Sequence, residues 1–247
     1  MESLSGKVAL ITGAGSGIGR GTALHAASEG MHVVVADIKN SDGVAEEIKA
    51  AGGSATAAAI DTTDSGAWGL LVDQITRDHG GLDLLVNNAG IVQPIDDVTV
   101  TSNEDWARIV GVNQTGYFYG MRAAVPALEA RGGGAIVNVS SVAGLVGMQN
   151  VFTYSATKGA VIAMSRQAAI TLAPKKIRVN VICPGIIETP ILGDITPELK
   201  GYCESMTPLA RLGQPLDIGA MAVHLARPES SFITGQVIAI DGGWTAQ

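Results

Sequence analysis

Seven short apolar runs recur along the chain with helix-forming stretches between them. They are KVALIT from Lys7, HVVVAD from His32, SATAAAI at 54–60, LDLLVNN at 82–88, AIVNVS at 135–140, IRVNVIC at 177–183 and QVIAI at 236–240. Apolar runs this short and continuous suit strands covered on both faces, and strands that alternate with helices build a parallel sheet. The expected fold is therefore α/β, a doubly wound, seven-stranded parallel sheet with helices on both faces. No Pro/Ser-rich linker, charge block or solenoid-length repeat divides the 247 residues, so 1–247 is expected to form one domain.

Composition narrows the partners. The chain is 47% hydrophobic and 16% charged, and its 32 glycines imply many tight turns or close backbone approaches. A formal net charge of −7 leaves no basic footprint for nucleic acid. The N-terminus MESLSGKVAL lacks a basic region followed by an apolar core, so no signal peptide is expected. The uncharged stretch 132–157 is interrupted by Asn138, Ser140, Ser141, Gln149 and Asn150, which argues against a membrane span. Cys183 and Cys203 do not make a disulfide framework, and Cys183 within VNVIC reads as a buried thiol; a cytoplasmic location follows as the expectation. His25, His32, His79 and His224 share no ligand spacing, so no metal centre is expected.

The first strand runs into TGAGSGIG, Thr12 to Gly19, ahead of a helical segment from Ile18 to Glu29. Gly13, Gly17 and Gly19 would let the backbone approach a pyrophosphate, and the free N–H groups of a helix start at Ser16 and Ile18 would face the anion. The spacing is G-x-x-x-G-x-G rather than the commoner G-x-G-x-x-G, so the strand–turn–helix context carries the reading. Asp37 ends the second strand, where a carboxylate can hold the adenosine ribose hydroxyls and would repel a 2′-phosphate; the expected cofactor is NAD(H). Asp61 and Thr62 end the third strand, within reach of an adenine. Asn88, Ala89 and Gly90, in NNAG, either shape the cofactor wall or form an ordinary turn. Asn113 lies awkwardly inside a helical stretch from Asp105 to Ala130 and either frays it harmlessly or is held for a purpose.

Tyr154 and Lys158 are spaced i, i+4, which places both on one helix face. A nearby ammonium favours a phenolate, and bringing a tyrosine from about 10 to about 7 takes roughly 4 kcal/mol of differential stabilisation. Ser141 precedes the tyrosine at the end of a strand, where its hydroxyl could face the same reacting oxygen. A packed tyrosine and a solvated lysine satisfy the same spacing, and spacing alone favours that reading. Pro174 should end this helix, and Pro184-Gly185 should break the chain after the sixth strand. Residues 186–212, with Pro190, Pro197 and Pro208, read either as a connecting loop or, given their length, as a flap covering substrate.

Together TGAGSGIG, Asp37, DTTD at 61–64, NNAG, Asn113, Ser141, YSATK at 154–158, PGIIETP at 184–190 and the terminal DGGW resemble the short-chain dehydrogenase/reductase family, over essentially the whole chain. The resemblance implies a Rossmann-type domain and an NAD-dependent oxidoreductase that interconverts a secondary alcohol and a ketone. It implies Tyr154 as acid/base and Lys158 as the group that lowers its pKa and binds the nicotinamide ribose. Ser141 would bond the substrate oxygen, and Asn113 would hold a water linking Lys158 to solvent. Thr189, with the backbone near Ile187, would meet the nicotinamide amide, and Pro184 and Gly185 would also bind the cofactor. Gln93, Val142, Leu145, Gln149, Phe152, Ile186, Ile191 and Met206 are candidate substrate contacts. It further implies a homotetramer paired through helices at about 103–130 and 152–173 and through the last strand. The ending WTAQ admits a structural magnesium near Gln247, or simply an exposed tail. Competing activities are reduction of a 3-oxoacyl thioester, oxidation of a steroid or other cyclic alcohol, and a non-catalytic dinucleotide sensor.

Overall fold

The computed structural model describes residues 3–93, 96–193 and 195–247. Its strands are β1 (Val8–Thr12), β2 (His32–Asp37), β3 (Ser54–Ala59), β4 (Leu84–Asn87), β5 (Gly134–Val139), β6 (Ile177–Pro184) and β7 (Val237–Ile240). They form one sheet in the order β3-β2-β1-β4-β5-β6-β7. Every neighbouring pair is parallel, with Leu10 opposite Val34 on one side and Leu85 on the other. All five residues of β1 and all four of β4 are buried, while the two edge strands keep open positions. The burial gradient matches the sequence: VALIT and LLVN lie at the centre, and the alanine-rich SATAAA lies at the edge.

Two apolar layers flank the sheet because side chains alternate along each strand. Ala9, Ile11, Val33, Val35 and Val137 pack with α1 (Gly17–Ser28), α2 (Ser41–Ala50) and α8 (Pro215–His224). Val8, Leu10, Val34, Leu85 and Ile136 pack with α3 (Ser65–His79), α5 (Gly116–Ala130) and α6 (Phe152–Leu172). Trp68 of α3 is 1% exposed, and its indole N–H donates to the Thr62 carbonyl at 3.1 Å. A buried side chain of that size contributes on the order of 3 kcal/mol.

The long helix expected over 103–130 is divided. It runs as α4 (Asn103–Val110), one π turn (Gly111–Thr115) and then α5. The π turn holds Asn113, so the awkward asparagine sits where the helix widens rather than in a frayed end. Within 186–212, the strand-like Ile187 pairs with Gly213 and a further helix, α7 (Pro197–Ser205), forms. Thr196 caps α7 through its hydroxyl to the Leu199 amide, and Pro197 occupies the first turn, where its missing N–H costs nothing. Asp194 of this segment lies outside the described residues. Because β1 leads outward to β2 and β3 while β4 to β7 extend the other way, a crevice opens at the carboxyl ends of β1 and β4.

Candidate active site

The glycine turn fills one side of that crevice. A Cβ on Gly13 would lie 2.8 Å from the Ala89 Cα, and one on Gly19 would lie 2.1 Å from the Gly13 carbonyl oxygen, so only glycine fits either place. Gly13 also has φ +63°. Thr12 laces this turn to NNAG, its hydroxyl accepting from the Asn88 and Ala89 amides at 3.0 and 3.1 Å. The Asn88 side chain donates back to the Thr12 and Gly13 carbonyls. Ser16 makes no side-chain cap, which leaves the first N–H groups of α1, at Gly17 and Ile18, for an anion. This cradle, too narrow for any Cβ and lined by N–H donors, fits a dinucleotide pyrophosphate.

Asp37 stands at the end of β2 beside the cradle, accepting from the Gly15 and Lys39 amides at 2.8 and 2.9 Å. Asp61 is exposed on the rim and closes its own turn by accepting from the Thr63 amide and hydroxyl, while Thr62 is buried. Thr189 comes next to Gly17 from the opposite side, since a Cβ placed on Gly17 would meet its side chain at 3.2 Å. Its hydroxyl donates to the carbonyl of buried Ile187. Pro184 and Gly185 follow at the end of β6.

The other side of the crevice is built by the end of β5 and the start of α6. Ser141 is 9% exposed and accepts from the Ala143 amide at 3.1 Å. The Ser140 hydroxyl donates to the Lys158 carbonyl at 2.8 Å, and a Cβ on Gly144 would meet the Lys158 carbonyl carbon at 2.8 Å. The loop after β5 therefore sits backbone to backbone on α6, and from there the Ser141 hydroxyl acts on the Tyr154 phenol. Lys158 is 3% exposed, and its ammonium donates to the Val139 carbonyl at 2.8 Å and the Tyr117 hydroxyl at 3.1 Å. It lies 5.5 Å from the centre of the Tyr154 ring. Asn113 is fully buried, and its side-chain amide is committed to Ile91, accepting from its N–H and donating to its carbonyl, each at 2.8 Å. A Cβ on Gly90 would lie 3.4 Å from the Asn113 Oδ1 and 3.6 Å from the Lys158 Nζ, so NNAG, Asn113 and Lys158 meet at one point.

The substrate candidates divide. Leu145, Gln149, Phe152, Ile191 and Met206 are exposed, with Phe152 against the Trp106 ring at 6.2 Å. Gln93 accepts from Arg108, and Ile186 is partly exposed on a cavity of about 260 Å³ lined also by Thr207, Leu209 and Ile240. Val142 is 2% exposed and offers almost no surface. A larger cavity, about 460 Å³, is lined by Glu188, Lys200, Glu204 and Arg211, away from Ser141 and Tyr154. Among the described residues, no three His, Cys, Asp or Glu side chains are grouped to hold a metal, and no helix is long and apolar enough to cross a membrane. Gln247 donates its side-chain amide to the Met206 carbonyl.

Residues 13–245 match a family model described as enoyl-(acyl carrier protein) reductase. The chain is 41% identical to 2,5-dichloro-2,5-cyclohexadiene-1,4-diol dehydrogenase of Sphingobium indicum, over 98% of this chain and 97% of the relative. It is 40% identical to cyclohexanol dehydrogenase of an Acinetobacter strain, over 100% and 98% of the two chains. The chain belongs to the short-chain dehydrogenase/reductase family. A solved member, assigned as a gluconate 5-dehydrogenase of Beutenbergia cavernae and carrying NADP at low occupancy, superposes with a TM-score of 0.93 at 34% identity, covering 99% of both chains. As a short-chain dehydrogenase/reductase, this protein is an oxidoreductase that binds a nicotinamide dinucleotide.

Burial dominates the electrostatics of the pair in this short-chain dehydrogenase/reductase. Burial pushes the Tyr154 phenol above its ordinary value, the Ser141 hydrogen bond pulls it back, and neighbouring Cys183 raises it. Burial also pushes Lys158 down to about 7, opposed by Cys183. The dry site that strengthens the interaction between the two groups also penalises the charged form of each. Two groups at the site escaped the sequence reading. Tyr117 stands four residues after Asn113, a helical spacing that could have drawn attention to it. Asp96, fully buried, accepts from the Thr153 and Tyr154 amides at 2.7 and 3.1 Å and carries no local signal.

Proposed function

We propose that this protein is an NAD-dependent dehydrogenase that oxidises an alicyclic secondary alcohol to its ketone and catalyses the reverse reduction, with Tyr154 as acid/base. The observation that carries the reading is the meeting of Ser141, Tyr154 and Lys158 at the mouth of the glycine-lined crevice. The dinucleotide is held by Gly13, Gly17, Gly19 and the first amides of α1, with Asp37 on the adenosine ribose and Thr189 and Ile187 toward the nicotinamide. A bound nicotinamide supplies the acceptor or donor of hydride. Tyr154 takes the hydroxyl proton during oxidation and returns it during reduction. Ser141 donates a hydrogen bond to the substrate oxygen, where charge develops. Lys158, in its charged form, steadies the phenolate. Asn113 secures the Ile91 backbone and so the wall beside the lysine.

The alicyclic substrate class is supported by the two dehydrogenase relatives and by the exposed apolar side chains of Leu145, Phe152, Ile191 and Met206. Residues 186–212 serve as the covering segment, tied at the base by the Ile187–Gly213 pairing. NAD over NADP rests on Asp37, whose carboxylate opposes a 2′-phosphate. Exposed Phe118 of α5 and Ile170 of α6 support a tetramer paired through these helices, and sedimentation as a 25.2 kDa species would count against it.

The test follows NADH absorbance with cyclohexanol, cyclopentanol, 2-butanol, a hydroxysteroid and a 3-oxoacyl thioester, each with both dinucleotides. Cyclic alcohols with NAD are expected to exceed the others in kcat/KM by about tenfold or more, the scale of one well-filled apolar contact. Dominant thioester reduction with NADPH would replace this reading with a carrier-protein reductase. Silence across the panel would replace it with a dinucleotide sensor.

A further inference from the structure

Lys158 is a long, flexible side chain buried among groups that must fix both its position and its proton. An ammonium has three N–H donors and no acceptor, so its burial depends on what accepts from it. Two acceptors are present among the described residues: the Val139 carbonyl at the end of β5, at 2.8 Å, and the Tyr117 hydroxyl from the first turn of α5, at 3.1 Å. Tyr117 donates its own proton to the same Val139 carbonyl, at 2.9 Å. That bond leaves a lone pair of the phenol oxygen for the lysine, closing a triangle of Nζ, hydroxyl and carbonyl that engages two of the three ammonium N–H groups and the phenol proton. The ammonium also stands 4.9 Å from the centre of the Tyr117 ring and 5.5 Å from that of Tyr154, between two aromatic side chains.

Tyr117 is 2% exposed and is held on α5 just beyond the π turn, four residues from Asn113. A residue that only filled this space would need no hydroxyl. Here the hydroxyl is engaged on both sides, by Val139 and by Lys158. Burial holds its pKa well above the ordinary tyrosine value, with Tyr154 adding to the rise, so the group remains a neutral phenol while Lys158 titrates. The other titratable group facing the lysine is Cys183 of β6, itself held protonated by burial. Tyr154 completes the set on α6.

We infer that Tyr117 is a positioning residue for the reaction, holding the Lys158 ammonium between the two tyrosine rings by offering it a neutral, oriented acceptor. The inference rests on the proposed role of Lys158 beside Tyr154 and extends that role to a residue on a different helix. Without the hydroxyl, the charged lysine loses a charge-assisted hydrogen bond and gives up its proton more readily. The phenolate of Tyr154 then loses part of its support.

Tyr117→Phe keeps the ring and removes only the acceptor. In the cofactor-free enzyme, NMR of lysine labelled with 13C at Cε should show Lys158 titrating about one unit lower in the variant, as expected for one lost bond to a charged group. Its signal is assigned by its loss in Lys158→Met. In alcohol oxidation, the acid limb of kcat against pH should move to higher pH and kcat should fall about tenfold, while KM for the dinucleotide changes less than about threefold. Tyr117→Leu supplies a second removal of the acceptor should the phenyl ring repack. An unchanged Lys158 titration in the folded variants would overturn the inference. The NMR reading needs no substrate, so it stands even if the substrate panel fails, and a failed panel with a shifted lysine would reject the reaction while retaining the positioning role.

Discussion

At the scale of single residues, Tyr154 and Lys158 compete for one dry space. Burial alone makes the phenol a weaker acid and the ammonium a stronger one, so at neutral pH neither charge is free of penalty. Ser141 offsets the penalty on Tyr154 by hydrogen bonding, and Tyr117 with Val139 receives the lysine. Tyr154→Phe should therefore lower kcat by about 10²- to 10⁴-fold, the usual worth of a positioned acid/base. The phenyl ring still fills the cleft, so NADH affinity, read by fluorescence titration, should stay within roughly threefold. Wild-type turnover in that variant would remove Tyr154 from the acid/base role. The tyrosine–lysine pair was visible as spacing on one helix, whereas its electrical state depends on burial, which spacing does not contain.

At the scale of elements, α6 begins without a cap of its own, because Val151 has no side-chain acceptor. Asp96 supplies one from the chain after β4. Its carboxylate accepts from the Thr153 amide and hydroxyl, the Tyr154 amide and the Thr101 hydroxyl, and its carbonyl accepts from the Phe152 amide. Burial by itself would raise this carboxyl, but the hydrogen bonds from Thr101, Thr153 and Tyr154 outweigh it and hold the pKa below the usual value. A depressed carboxyl contributes its stability above the unfolded pKa and loses it as pH falls through the folded one. Asp96→Ala should cost about 2 kcal/mol in urea denaturation at pH 7, since it removes a cap and strands several donors. A loss below a few tenths of a kcal/mol would show that water replaces the carboxylate. The sequence offered no reason to link Asp96 to a helix starting at Phe152, because the loop path brings them together.

For the whole molecule, burying Lys158 makes stability depend on pH. The unfolded chain keeps that proton until near the ordinary lysine value of 10.5, while the folded chain releases it near 7. Between those values the unfolded state binds more protons, so stability rises with pH by up to about 1.4 kcal/mol per unit from this group. Below about 7 both states are protonated and the slope vanishes, with the penalty fully present. Urea midpoints of the cofactor-free protein between about pH 7 and 8.5 should thus rise more steeply in wild type than in Lys158→Met. Equal slopes would place the lysine proton in water. Comparing the two proteins isolates Lys158 from Cys183, whose raised pKa acts in the opposite sense at higher pH.

The local sequence contained most of the scaffold. Short continuous runs such as VALIT and LLVN have no solvent face, so they require a sheet covered on both sides, and the glycines of TGAGSGIG leave room only for backbone against backbone. The i, i+4 spacing of Tyr154 and Lys158 survives in any helix, so it too could be read directly. Tertiary structure decided what no local pattern encodes: the π turn that interrupts 103–130, the helix α7 inside 186–212, and the meeting of Asp96 with Tyr154 and of Tyr117 with Lys158. Those contacts join residues as much as 58 positions apart, and burial at such junctions sets proton affinity. Helix and strand periods constrain neighbours within a turn or two, while desolvation depends on everything packed around a group.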